Sequence, residues 1–228
     1  KSGDGVVSTT EGGPAYGPVG TTLSVSGPTT AAAGTVLDIA PSGANIDYNR
    51  TFTLGADDPQ VMAEGARRYA TAQAIKVKLT GELELDIERV GAIRAARPDV
   101  WLGVDANQGF TRNDLDRLVD ALSTHRVSLL EQPLKRGSEA DLEGYRCPIP
   151  IAADESALGL DDVPGLVGRF DVINIKLDKC GGLTEALLIA DEARRLGVGF
   201  MVGNMVGNIL AMAPAFVVGQ HCDVVDLD

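Results

Sequence analysis

The sequence predicts an α/β fold, a closed barrel of parallel strands, and three observations lead there. From Tyr48 onward, eight short apolar runs alternate with seven helical segments. Three consecutive runs end on an acid: Asp105 in WLGVDANQGF, Glu131 in VSLLEQPL and Asp154 in PIPIAADES. The intervals between these acids, 26 and 23 residues, are each the length of one strand, one helix and two loops.

In order, NRTFTLG is a strand, and DDPQVMAEGARRYA opens on Asp-Pro and continues at helical spacing. AIKVKLT is a strand, and ELELDIERVGAIRAAR is an amphipathic helix that must end before Pro98. A strand at Trp101–Asp105, a helix from about Arg112 to Ser123 and a strand at Val127–Glu131 follow. A short helix near Glu139–Tyr145 leads to a strand ending at Ala153, and DDVPGLVG makes a brief helical turn. FDVINIKL is the sixth strand, and LTEALLIADEARRLG is a helix stopped by Gly197. VGFMVG is a strand, NILAMAPAFVVGQ an apolar helix interrupted by Pro214, and CDVVDLD the last strand. Before Tyr48, the Gly, Ser, Thr and Pro-rich residues 1–47 read as irregular β structure or loops. AAAGTVLDIA is the one candidate helix there.

Composition excludes several classes of partner. A net charge of −12 argues against nucleic acid, whose phosphates need a basic face. No apolar run approaches a membrane span, and no signal peptide opens the chain. Cys147, Cys180 and Cys222 are odd in number and lack metal-like spacing, so they read as reduced and mostly buried, which favours the cytoplasm. With only His125 and His221, proton chemistry falls to lysines or carboxylates. Homo-oligomerisation leaves no signature and stays open.

A lone acid at a strand end would merely cap the next helix. Three in phase repel one another unless a cation lies between them. Oxygen ligands without thiol or imidazole suit Mg²⁺, or alternatively Mn²⁺. In AIKVKLT, Lys76 and Lys78 point to one face of their strand, and two adjacent ammonium groups are expected to lower each other's pKa. Lys176 closes the sixth strand, diametrically opposite the second in an eight-stranded barrel, so Lys78 and Lys176 should face each other across the mouth. A single lysine there could equally snorkel to solvent. Asp226 and Asp228 share a face of the last strand, either as a solvated chain end or as a carboxylate pair for a cationic substrate group.

The ordered set KVK, DAN, EQP, ADES, INIKL and GNMVGNILAMAPA resembles the enolase superfamily over about Tyr48 to Asp228. Within it the chain is similar to the muconate lactonising enzyme subgroup and, through the terminal DLD, to dipeptide epimerases. The resemblance implies a (β/α)7β TIM-like barrel at 48–228 and a partial N-terminal α+β capping domain at 1–47. Only 75 residues precede Lys76, fewer than the family's cap supplies, and the segment expected after DLD is missing. It implies Mg²⁺ on Asp105, Glu131 and Asp154, with Asn107 and Glu155 steadying those ligands, and acid/base roles for Lys78 and Lys176. Lys76 would tune Lys78 and touch the substrate carboxylate, while Asp226 and Asp228 would hold a dipeptide's α-ammonium. The implied reaction removes the proton α to a carboxylate through an enediolate and returns it on the other face. Muconate cycloisomerisation, o-succinylbenzoate synthesis and N-acylamino acid racemisation are sibling alternatives. A non-catalytic metal- or ligand-binding barrel is the alternative from another class.

Overall fold

The computed structural model describes strands at residues 5–7, 22–26 and 38–42, then residues 51–206 and 209–227, with side chains described at 51–206 and 212–227. The chain divides into two compact units, Lys1–Tyr48 and Asn49–Asp228. In the first, β1 (Gly5–Val7), β2 (Thr22–Ser26) and β3 (Asp38–Ser42) form an antiparallel sheet in that order. The end of AAAGTVLDIA belongs to a strand and not to the expected helix, since Asp38–Ser42 pairs with Thr22–Ser26; the rest of that stretch lies outside the described residues. Pro41 is tolerated because β3 is an edge of this sheet among the described residues.

The second unit holds eight strands, each paired in parallel with the next in sequence: β4 (Thr51–Leu54), β5 (Ala74–Lys78), β6 (Trp101–Asp105), β7 (Leu129–Glu131), β8 (Ile151–Ala153), β9 (Val172–Lys176), β10 (Gly199–Gly203) and β11 (Val224–Asp226). The Thr51 hydroxyl donates to the Val225 carbonyl at 2.9 Å, so the first strand meets the last and the barrel is nearly closed. The helices between strands are α1 (Pro59–Arg68), α2 (Leu83–Ala96), α3 (Arg112–Thr124), α4 (Val163–Leu166), α5 (Leu177–Cys180), α6 (Leu183–Leu196) and α7 (Ile209–Gly219).

Four elements differ from the sequence expectation. The helix near Glu139–Tyr145 is one 3₁₀ turn, Glu139–Leu142, because the chain turns out through Gly144 at φ +71°. The second acid-bearing strand, β7, is shorter than expected, beginning at Leu129 and not Val127. The α7 helix runs through Pro214; the ring removes one backbone donor, but burial of Ala215 and Val218 holds the helix together. The single turn α5 was not anticipated.

Alternation along the strands builds two cores. Ile75, Val77, Leu102, Val104, Leu130, Ile173, Ile175 and Val202 face outward against the helices, each contributing about 1.5–3 kcal/mol by burial. The other face turns into the barrel, where Leu129, Ala152 and Met201 pack with Trp101, Val172 and Val224. Gly103 makes room for this plug, since a Cβ there would meet the Trp101 ring at 2.7 Å. Two residues further along the same inward face come Glu131, Asp154, Asn174 and Asp226, so polar side chains sit directly above an apolar floor.

The rim after β5 is clamped by a buried pair. Asp86 accepts the backbone N–H groups of Thr80 (3.0 Å) and Gly81 (2.9 Å) and pairs with Arg89 at 2.7 Å. Arg89 also donates to the Asp57 carbonyl at 2.8 Å, joining this loop to the one after β4. Asp86→Ala leaves Arg89 buried without its carboxylate and two backbone donors without an acceptor. Urea unfolding should show a loss of about 3–5 kcal/mol.

Candidate active site

Strand register gathers the acids. Lys78 lies beside Asp105, and Asp105 beside Glu131, in adjacent parallel strands, while Asp154 follows the last residue of β8. Asp105, Glu131 and Asp154 are all buried, and each places a carboxylate oxygen within 4.8 Å of the others. This compact, all-oxygen donor set fits a hard divalent cation such as Mg²⁺.

Four lysines converge on the acids. The Lys78 ammonium lies 2.5 Å from Asp105 Oδ2, and the Lys176 ammonium 2.6 Å from Asp154 Oδ2. Both therefore reach into one acidic group from strands β5 and β9. Lys76 pairs with Glu131 Oε2 (2.6 Å), Asp226 Oδ2 (2.7 Å) and Asp105 Oδ2 (3.4 Å). Lys179, from α5, donates to Asp154 Oδ1 (2.6 Å), the Asp154 carbonyl (2.6 Å) and the Asn174 carbonyl (3.0 Å).

These contacts set the ionisation. Burial opposes the Lys76 ammonium, but Glu131, Asp226 and Asp105 outweigh it and raise its pKa well above the ordinary lysine value. The expected mutual lowering of Lys76 and Lys78 thus fails for Lys76, because three carboxylates surround it. Burial, partly offset by Lys76 and reinforced by Asp105 and Asp154, lifts Glu131 to about 7. For Asp154 burial acts upward, yet the ammonium groups of Lys179 and Lys176 prevail and hold it at about 2. Lys176 is raised: burial lowers it, but Asp154 and Glu131 win. Burial pulls Lys179 downward despite the same Asp154 contact; with every donor engaged, its geometry is that of an ammonium.

The other expected residues fall as follows. Asn107 supports Asp105 through its backbone, whose N–H donates to Asp105 Oδ1 at 3.0 Å from a left-handed residue at φ +45°. Glu155 makes no hydrogen bond to the three acids among the described residues, and its Oε2 is enclosed without a partner. Asp226 is buried with Oδ2 on Lys76 and Oδ1 enclosed without a partner. Asp228 lies outside the described residues. The three cysteines are free and half-buried, and not mostly buried as expected. No helix among the described residues is long and apolar enough to cross a membrane.

Sequence reasoning missed Asn174, Gln132, Lys179 and Gly203. Asn174 donates to Glu131 Oε1 at 2.8 Å. Fully buried Gln132 accepts the N–H groups of Asp154 (2.9 Å) and Ser156 (3.1 Å) and donates to Ser156 Oγ (2.8 Å), fixing the turn after β8. A Cβ on Gly203 would lie 3.0 Å from Asn174 Oδ1 and 3.1 Å from Lys176 Cε, so glycine gives both side chains their space. Period-two alternation back from Lys176 could have flagged Asn174; the turn geometry behind Gln132 and Lys179 has no such signal.

Glu131 yields a pH test. A carboxyl raised from 4.5 to about 7 in the folded chain binds its proton more tightly there than when unfolded. Its contribution is therefore most favourable at low pH and declines as pH rises from the unfolded value through the folded one, by on the order of 1–3 kcal/mol. Urea unfolding in chelator between about pH 4.5 and pH 8 should show this decline, and Glu131→Gln should flatten it.

Residues 61–223 match the family described as Enolase C-terminal domain-like. Over 176 residues the chain is 43% identical to an N-acetyl-D-glutamate racemase of Pseudoalteromonas sp, covering 77% of this chain and 55% of that protein. It is 39% identical over 179 residues to the L-Ala-D/L-Glu epimerase of Escherichia coli (strain K12), covering 78% and 55%. A dipeptide epimerase structure from Enterococcus faecalis V583, complexed with Mg and the dipeptide L-Leu-L-Tyr, superposes with a TM-score of 0.73 at 37% identity, covering 78% of this chain and 53% of that one. The chain spans about half the length of the curated relatives it matches. On the matched span and the barrel it forms, this chain belongs to the Enolase C-terminal domain-like family.

Proposed function

We propose that the chain carries the catalytic barrel of a Mg²⁺-assisted epimerase. It would act on the carbon α to the carboxylate of an N-acylated amino acid, most directly the C-terminal residue of a dipeptide. The observation that carries this reading is the pair of amines, Lys78 and Lys176, reaching one group of buried carboxylates from strands on opposite sides of the barrel. The names of the relatives, epimerases of dipeptides and a racemase of an N-acetyl amino acid, support it.

Asp105, Glu131 and Asp154 would hold the divalent ion, which when bound supplies Lewis-acid stabilisation to the substrate carboxylate. Mn²⁺ would suit the same oxygen donors. Lys76, kept charged by Glu131, Asp226 and Asp105, serves as a fixed cation toward that carboxylate and not as a base. One of Lys78 and Lys176 takes the α-proton, and the other delivers a proton to the opposite face, inverting the centre. Lys78 is about one-third exposed and Lys176 buried, so the two faces differ in access to solvent protons. Asp226 Oδ1, enclosed and unpartnered, is the acceptor left for an α-ammonium, and Asp228 would complete that pair. Residues 1–47 would belong to a partial capping domain. A muconate or o-succinylbenzoate precursor has no ammonium and, like an N-acetyl amino acid, would leave Asp226 Oδ1 without a partner.

Turnover of L-Ala-L-Glu in D₂O should place deuterium at the C-terminal α-carbon of the inverted product. Lys176→Ala should slow inversion by at least about 10²-fold while Mg²⁺ binding is retained or strengthened. Inversion without solvent isotope, or wild-type rates in the variant, would exclude the two-lysine scheme. Faster conversion of a muconate than of any dipeptide or N-acetyl-glutamate would move the assignment to a sibling reaction.

A further inference from the structure

Each of the three acids is divided between two kinds of partner. One oxygen is committed to a donor fixed by the fold: Asp105 Oδ1 to the Asn107 N–H (3.0 Å), Glu131 Oε1 to Asn174 Nδ2 (2.8 Å), Asp154 Oδ1 to Lys179 Nζ (2.6 Å). The other oxygen faces a lysine of the site: Lys78 at Asp105 Oδ2, Lys76 at Glu131 Oε2 and Lys176 at Asp154 Oδ2.

Lys179 differs from the lysines it lies among. Its ammonium has three donors and meets three acceptors, two of them backbone carbonyls, at 2.6 and 3.0 Å. It leaves none for a substrate, and releasing a proton would forfeit one of the three contacts. The turn α5 carries it back over the strand ends, and Gly181 at φ +90° closes that turn. Its acceptors are the two ends of one residue, Asp154, and the backbone of Asn174, whose side chain holds Glu131. One ammonium thus fixes one carboxylate directly and the support of a second.

We propose that Lys179 is a positioning residue that commits one oxygen of Asp154, so that the three-carboxylate site binds a cation through single oxygens and selects Mg²⁺ over Ca²⁺. This inference rests on the proposed divalent-ion reading. Ca²⁺ takes six to eight oxygens and often claims both oxygens of a carboxylate, whereas Mg²⁺ needs only six at short range. A carboxylate with one oxygen tied to an ammonium, and turned by it, cannot offer both.

The test is calorimetric titration of the whole chain with MgCl₂ and with CaCl₂, without substrate. Wild type should prefer Mg²⁺ by at least about tenfold, and Lys179→Met should cut that preference by at least about fivefold. The ratio isolates geometry. Both ions carry the same charge, so deleting a neighbouring cation strengthens both together and leaves their ratio alone. Lys179→Gln, which keeps polar bulk but removes the ammonium from Asp154 Oδ1, should narrow the same ratio and carries the test if Lys179→Met loses its circular-dichroism signature. A wild type that binds Ca²⁺ as tightly as Mg²⁺, or a ratio unchanged within about twofold in a folded variant, overturns the role of Lys179 while leaving the proposed reaction standing. A wild type that binds neither ion overturns both.

Discussion

Packing like charges into the end of a β-barrel is opposed by desolvation and by mutual repulsion, and the upper half of this barrel is arranged around that opposition. Asp105, Glu131, Asp154 and Asp226 face Lys76, Lys78, Lys176 and Lys179, four carboxylates against four amines. The balance is local as well as global. Lys76 takes the carboxylates of three strands at once, while Lys176 and Lys179 divide Asp154 between them. Glu131 shows where compensation is thinnest: with Lys76 its one ion-pair partner among the described residues, burial and two neighbouring acids still lift it to about 7. A divalent cation would be most favourable at that point.

The apolar floor gives this charge cluster its strength. Trp101, Leu129, Ala152, Val172, Met201 and Val224 fill the barrel below it, and Gly103 yields its side-chain volume to the indole. Charges above such a plug are screened poorly from beneath, so each contact acts more strongly than at a surface. The same plug keeps the acids from sinking and turns them toward the open ends of the strands.

The strand ends were legible from sequence because period-two alternation and a regular interval each carry one piece of information. Together they put Asp105, Glu131 and Asp154 at the ends of adjacent strands, and Lys78 and Lys176 on the two strands that flank them. The supporting residues were harder to see for definite reasons. Asn107 acts through its backbone, and a backbone donor leaves no mark in residue identity. Gln132 and Lys179 act after the strand has ended, where turns, and not alternation, aim the side chain. Asp86, Arg89 and Arg94 occupy helix positions that charge alone assigns to solvent, yet all three are buried. Arg94, for instance, donates to the carbonyls of His125, Arg97, Val100 and Arg126, a role visible only once the loops are in place. Pro214 misled in the other direction, since tertiary burial outweighed one lost backbone bond.

Strand-borne and loop-borne residues therefore do different jobs in the Asn49–Asp228 unit. Groups on β5 to β9 and β11 are placed by register, which cannot slip by one residue without turning every acid into the helix layer. That constraint suits chemistry whose tolerance is a fraction of an ångström. Residues beyond the strands, Asn107, Gln132 and Lys179, each hold one oxygen or one N–H of the strand-borne set and so convert a rough convergence into a defined orientation. Substituting a strand acid removes a reacting or binding group outright. Substituting one of its holders leaves the group present but free to rotate, and the consequence should be sought in discrimination between ions of equal charge before it is sought in stability.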